Sequence, residues 1–221
     1  EKIAVVGRNG AGKTTLLKLI AGELELDRDD RRKGPGITRS RALTICMLGQ
    51  MAFQDEARTV EEELLAGCPA VDTYDRERYE YQKEYDTLFT GLGFVKEDKG
   101  RRLSSFSGGE KTKIALIGLL LAKPDILLLD EAFSALDYQT RLNVTDDVYR
   151  ILKREQVTTL MVTHDIPETI SMGDKILVLS ARPAQVKEIL SVDFGPGRSP
   201  LSCRANRQFS PYFDHIWKEL S

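Results

Sequence analysis

"IAVVGRNGAGKTTLLKLI", residues 3–20, decides how the chain folds. Ile3 to Val6 are four apolar residues that read as a short buried strand. Residues 7–12 form a glycine-rich turn. Over residues 13–24 the apolar positions Leu16, Leu17, Leu19 and Ile20 recur at helical spacing. The pattern G-x-x-x-x-G-K-[ST] therefore falls after a strand and before a helix, which is the context it needs. Glycines let backbone N–H groups turn inward around an anion, and the helix start adds a favourable dipole. Lys13 can reach the outer phosphates and the Thr14 hydroxyl can ligate Mg²⁺. Gly7, Asn9, Gly10, Gly12, Lys13, Thr14 and Thr15 are the expected phosphate lining. A chance glycine turn is the bland alternative, and the flanking strand and helix argue against it.

Working outward, "ILLLDE" at 126–131 is a buried strand that ends in two carboxylates. A strand end beside a phosphate loop places Asp130 at the sheet's carboxyl edge. Asp130 is expected to hold Mg²⁺ through water, and Glu131 to polarise an attacking water and take its proton. Further buried strands are expected at 158–162 and 175–179, another at 42–48, and an amphipathic helix at 138–155. Strands alternating with helices imply a parallel sheet covered on both faces. Residues 59–94 read as helical and polar. Tyr74, Tyr81, Tyr85 and Leu88 share a helical face there, a stripe that reads as packing. "RERYEYQKE" (76–84) reads as a solvated face. Residues 27–41, with Gly34-Pro35-Gly36, read as a surface loop. The tail after Pro183 is short, punctuated by Pro and Gly, and ends in a helix over 211–220.

The 221 residues suit one large domain, or a core with an insertion. A net charge of −2 argues against a globally basic nucleic-acid binder. No apolar run reaches the roughly 18 residues of a membrane span; residues 114–122 come nearest and stop at Lys123-Pro124. Cys46, Cys68 and Cys203 match no metal or disulfide spacing, so a reducing cytosol is expected. The chain opens at Glu1 directly on a strand without a leader, and is read as a fragment.

"FSGGE" (106–110), "ILLLDE", "SALD" (134–137) and "TLMVTHD" (159–165) follow the phosphate loop in a fixed order. In that order the chain resembles ATP-binding cassette (ABC) ATPases over nearly its whole length. The resemblance implies an α/β P-loop NTPase, a RecA-like parallel sheet flanked by helices, with an inserted helical subdomain. The core is expected at 1–50 and 106–200, the insertion at 51–105 and the tail at 201–221. The family's antiparallel strands and adenine-stacking aromatic, upstream of the loop, are expected to be missing.

"FSGGE" resembles the family signature, usually LSGGQ, with Phe106 and Glu110 as departures. By resemblance Ser107, Gly108 and Gly109 start a helix that meets the γ-phosphate of ATP held by a second subunit. Ser107 also reads as an N-cap. Gln50 looks like the family's glutamine at the Mg²⁺ and water site, with Gln54 as rival. His164 looks like the switch histidine and Asp137 like the aspartate that communicates across the dimer. His215 reads as a surface residue.

Two subfamilies are resembled in different parts. Up to about Leu129, "VGRNGAGKTTLLKLIAGEL" and "EYDTLFTGLGF" look like ABC-F proteins that act on ribosomes. From "AFSALD" onward, "VTHDIPETISMGDKILVLSARPAQVKEI" and "FDHIWKEL" look like ATPase subunits of nitrate, sulfonate and taurine importers. The leading expectation is an ATP-hydrolysing importer subunit, a head-to-tail dimer with a second ABC domain. Its partners would be separate membrane-spanning permease subunits, and it would lie at the cytoplasmic, inner face of the plasma membrane. The rivals are an ABC-F-type domain with the ribosome as partner, and a chimeric or inactive nucleotide-binding chain.

Overall fold

The apolar runs become strands, and the glycines, aspartates and serines between them fix where helices begin. The computed structural model describes residues 1–26, 37, 38, 40, 42–49, 53, 55–68 and 76–221. Its strands are β1 (Lys2–Val6), β2 (Ile45–Leu48), β3 (Ile126–Asp130), β4 (Thr158–Thr163), β5 (Lys175–Leu179) and β6 (Val186–Ser191). Its α-helices are α1 (Lys13–Ala21), α2 (Val60–Leu65), α3 (Arg76–Gly91), α4 (Gly108–Leu121), α5 (Tyr138–Arg154), α6 (Ile166–Met172), α7 (Pro200–Arg204) and α8 (Phe209–Leu220). Among the described residues no helix is long and apolar enough to cross a membrane. Contacts divide the chain into two units: 1–47 with 125–131 and 157–221, and 48–124 with 132–156.

The first unit holds the sheet, ordered β2-β3-β4-β1-β5-β6. β1 runs parallel to β4 and β5, and β3 parallel to β4. Val5, Leu17, Leu128, Val162 and Leu179 form its core, with Ile20, Ile45 and Leu160 packed against them. Fully burying one such side chain stabilises the fold by about 1.5–3 kcal/mol. α1 packs on β3 and β4, α6 on β1 and β4, and α8 on β5. The expected parallel sheet carries one antiparallel edge strand. β6 lies antiparallel to β5 along the edge, within the stretch read as punctuated tail. α1 ends at Ala21, not at residue 24, because Gly22 takes φ 86° and returns its N–H to the Lys18 carbonyl. That is a C-cap only glycine adopts at low cost.

The second unit is helical. α4 is buried along Ile114, Leu116, Ile117 and Leu120 and meets α2, α3 and α5. Tyr85, Phe89, Phe94 and Phe106 touch in sequence, edge-on, stacked and edge-on, with ring centroids 5.4, 4.7 and 6.0 Å apart. Tyr85 and Leu88 are buried and the Tyr81 hydroxyl donates to the Leu64 carbonyl at 2.7 Å. That part of the stripe is packing; Tyr74 lies outside the described residues. Among the described residues of 59–94, the helical reading is met by α2 and α3. α4 and α5, expected with the core, cluster with the helices of 51–105, because their apolar faces are covered from within this unit.

Candidate functional site

Strand register builds the site in the first unit. Val6 is level with Thr163, and Asp130 with Val162. Gly7, Glu131 and His164 therefore leave three neighbouring parallel strands at the same carboxyl-end edge, where α/β sheets bind ligands. Gly7 is buried, and a Cβ there would lie 3.1 Å from the Leu179 Cβ. Beyond it the chain turns, with the Ala11 N–H donating to the Arg8 carbonyl at 3.1 Å. Gly10 and Gly12 take φ 81° and 87°, conformations that strain any other residue. Asn9 and Gly10 are exposed on the rim of the loop, and Thr14 and Thr15 are exposed on the first turn of α1.

Lys13 opens α1 and is 5% exposed. Its ammonium donates to the Gly7 carbonyl at 2.9 Å and to the Arg8 carbonyl at 3.2 Å, so it lies folded over the loop. Burial lowers its pKa below 10.5, opposed by the charges of Glu131 and then Asp130. The Thr14 hydroxyl donates to Asp130 Oδ1 at 2.9 Å. A hydroxyl and a carboxylate so close are the hard oxygen donors that Mg²⁺ takes alongside phosphates, so the residues present fit that ion.

Glu131 follows β3 with φ 49°, an uncommon left-handed conformation for a residue with a side chain, and donates its N–H to the Val162 carbonyl at 2.9 Å. Backbone strain of this kind clusters at functional sites. His164 Nδ1 stands 3.3 Å from Glu131 Oε1. Lys13, Thr14, Asp130, Glu131 and His164 are thus brought together. Gln50 and its rival Gln54 lie outside the described residues. His215 is exposed and meets Glu188 Oε2 at 2.8 Å. Sequence reasoning missed two arginines at the loop. Arg182 Nε donates to the Gly10 carbonyl at 2.5 Å, and Arg8 Nε donates to the Leu220 carbonyl at 2.6 Å. Neither pairing carries a spacing signal, because the partners are backbone carbonyls some 170 or more residues away.

The second unit holds the remaining candidates. Ser107 caps α4, its hydroxyl accepting from the Glu110 N–H at 3.4 Å. Glu110 Oε2 in turn accepts from the Ser107 N–H at 2.8 Å and from its hydroxyl at 2.7 Å. A Cβ on Gly108 would lie 3.3 Å from Leu136 Cδ2, and one on Gly109 only 2.7 Å from Thr140 Cγ2. Asp137 caps α5 by accepting from the Thr140 N–H at 3.0 Å, and hydrogen bonds from Thr140 hold its carboxyl below the usual range.

A glycine loop that caps β1, a buried lysine and a strand-end carboxylate pair define a P-loop nucleotide-binding protein. Comparison with known proteins makes the class specific. A profile for ABC transporter matches residues 1–134. The chain is 34% identical to the uncharacterized ABC transporter ATP-binding protein YtlC of Bacillus subtilis, over 99% of this chain and 83% of that one. It is 32% identical to the aliphatic sulfonates import ATP-binding protein SsuB of Bacillus licheniformis, over 91% and 76%. The structure of cbiO1 from Clostridium perfringens, part of the ABC transporter complex cbiONQ, has the same fold. It superposes with a TM-score of 0.70 at 22% identity over 99% of this chain and 87% of that one. The chain belongs to the ABC transporter family: it is an ATP-binding subunit and an ATPase of the P-loop ABC class. The ABC-F and ribosome reading gains no support from these relatives.

Proposed function

We propose that this chain energises an importer of the nitrate, sulfonate and taurine type, as a head-to-tail dimer against separate permease subunits at the cytoplasmic membrane face. The observation that carries the catalytic part is the convergence of Lys13, the Thr14–Asp130 pair and the Glu131–His164 pair at the carboxyl ends of β1, β3 and β4. The importer part is supported by likeness to SsuB across 91% of the chain.

In this reading the loop N–H groups and Lys13 bind the β- and γ-phosphates. Thr14 and Asp130 would hold Mg²⁺, which when bound would supply charge neutralisation at the phosphates. Glu131 orients a water and accepts its proton as the water oxygen bonds to the γ-phosphorus. The bond to the β-phosphate oxygen breaks, releasing ADP and phosphate. His164 steadies Glu131 and the γ-phosphate, Gln50 joins the water site, and the partner subunit's signature helix closes over the phosphate. Asp137 links the two sites across the dimer.

The test is phosphate release by the purified chain with ATP and Mg²⁺, alongside Glu131→Gln. Retained ATP binding with turnover lowered by about 10²-fold is the expected outcome. Unchanged turnover would remove Glu131 from the mechanism.

A further inference from the structure

Behind His164 the chain closes a ring of hydrogen bonds that the catalytic reading does not use. The Thr163 hydroxyl donates to Glu168 Oε2 at 2.5 Å. The same hydroxyl oxygen accepts from the Asp165 N–H at 3.1 Å. Asp165 Oδ1 accepts from the Glu168 N–H at 2.8 Å, which caps α6. Thr163 and Glu168 are 3% and 4% exposed. A carboxylate this buried is costly without strong partners, so such groups are usually held for a reason. His164 is the one residue of the Thr163–Asp165 turn whose side chain the ring leaves out, and it is half-exposed toward Glu131.

We infer that Glu168 is a positioning residue for His164, an inference that rests on the proposed role of that histidine. By accepting from Thr163, the Glu168 carboxylate fixes the hydroxyl whose oxygen in turn takes the Asp165 N–H, so the segment from which His164 projects is held on both sides. Without the ring the strand would still form, because Thr163 is level with Val6 in the β1–β4 ladder. The turn beyond it would sample other directions, and the imidazole would reach Glu131 and the γ-phosphate less often. Pre-set geometry of this kind acts on the chemical step and not on ground-state binding.

The experiment measures kcat and KM for ATP in the full chain with Glu168→Ala, Glu168→Gln and Thr163→Val, each also combined with His164→Ala. Melting curves accompany every variant. Glu168→Ala and Thr163→Val should lower kcat about tenfold with KM within about twofold. Glu168→Gln keeps an acceptor oxygen and should recover most of the loss. In the His164→Ala background neither change should lower residual turnover further. Wild-type kcat in folded Glu168→Ala and Thr163→Val, or an equal further loss without the histidine, would overturn the inference. If Glu168→Ala does not fold, Thr163→Val decides, since it removes the link and preserves the shape. Wild-type turnover in His164→Ala would sink the histidine's role and this inference together. A strong His164 effect beside silent Glu168 and Thr163 variants would sink the inference alone.

Discussion

Lys13 sits in an environment unlike that of a free side chain. The residue is 5% exposed, and burial lowers its pKa below 10.5. The folded chain therefore holds fewer protons at Lys13 than the unfolded chain between the two pKa values. This group's contribution to stability rises with pH through that window. Binding of ATP acts in the opposite sense, because phosphate charge favours the ammonium. Affinity for ATP should fall as pH climbs through the lowered value, and binding there should take up a proton. Calorimetry in two buffers of different ionisation enthalpy reads that proton, and Lys13→Ala should abolish both the proton uptake and hydrolysis while the fold persists. Unchanged nucleotide affinity in Lys13→Ala would refute the assignment of the loop. Lys13 and Thr14 were expected from the spacing of one strand–turn–helix unit and Asp130 and Glu131 from the end of a second buried strand, and the structure brings all four to one sheet edge. The Glu168–Thr163 ring was not legible in the sequence, because five residues across a strand-to-helix turn match neither the helical period nor the strand period.

At the scale of elements, α4 shows one sequence serving two demands. Ser107 and Glu110 form a reciprocal cap, so the helix start is stable without any ligand. Gly109 is required by packing as well as by any anion, since a Cβ there would meet Thr140 Cγ2 at 2.7 Å and Val144 Cγ2 at 2.9 Å on α5. Gly109→Ala should therefore destabilise the fold by about 1–3 kcal/mol through overpacking. Ser107→Ala should cost about 1 kcal/mol through loss of the cap. Urea midpoints at constant slope measure both; a Gly109→Ala midpoint equal to wild type would show that α5 yields freely. The sequence located α1, α4, α5, α8 and five of the described strands because apolar periodicity and turn residues agreed there. It missed β6 because Val186–Ser191 mixes Lys187 and Glu188 with Val186, Ile189 and Leu190 on an edge where one face is exposed and the other only half-buried. An edge strand tolerates charge and shows no clean alternation.

At the scale of the whole molecule, the phosphate loop with Asp130 and Glu131 belongs to one compact unit and the Ser107 helix to the other. The head-to-tail dimer proposed above completes each site with the signature helix of the opposite chain, and a two-fold operation makes the two sites equivalent. Ser107→Arg should then abolish hydrolysis by blocking the helix N-terminus, while ATP still binds to its own phosphate loop. Lys13→Ala should abolish hydrolysis by the other half of the site. In a mixed dimer one site carries both lesions and the other carries neither. At equal concentrations and random pairing, half the dimers are mixed and one of their two sites is intact, so activity should return to about one quarter of wild type. Rates across mixing ratios should peak at equimolar and vanish at both ends. Wild type mixed equally with Lys13→Ala supplies the control, which counts as active at about one half of the wild-type rate, since wild-type homodimers alone would give about one quarter. With that control active and cross-linking showing heterodimers, a mixture of the two variants that stays dead at every ratio would mean that Ser107 and Lys13 act on the same chain's nucleotide.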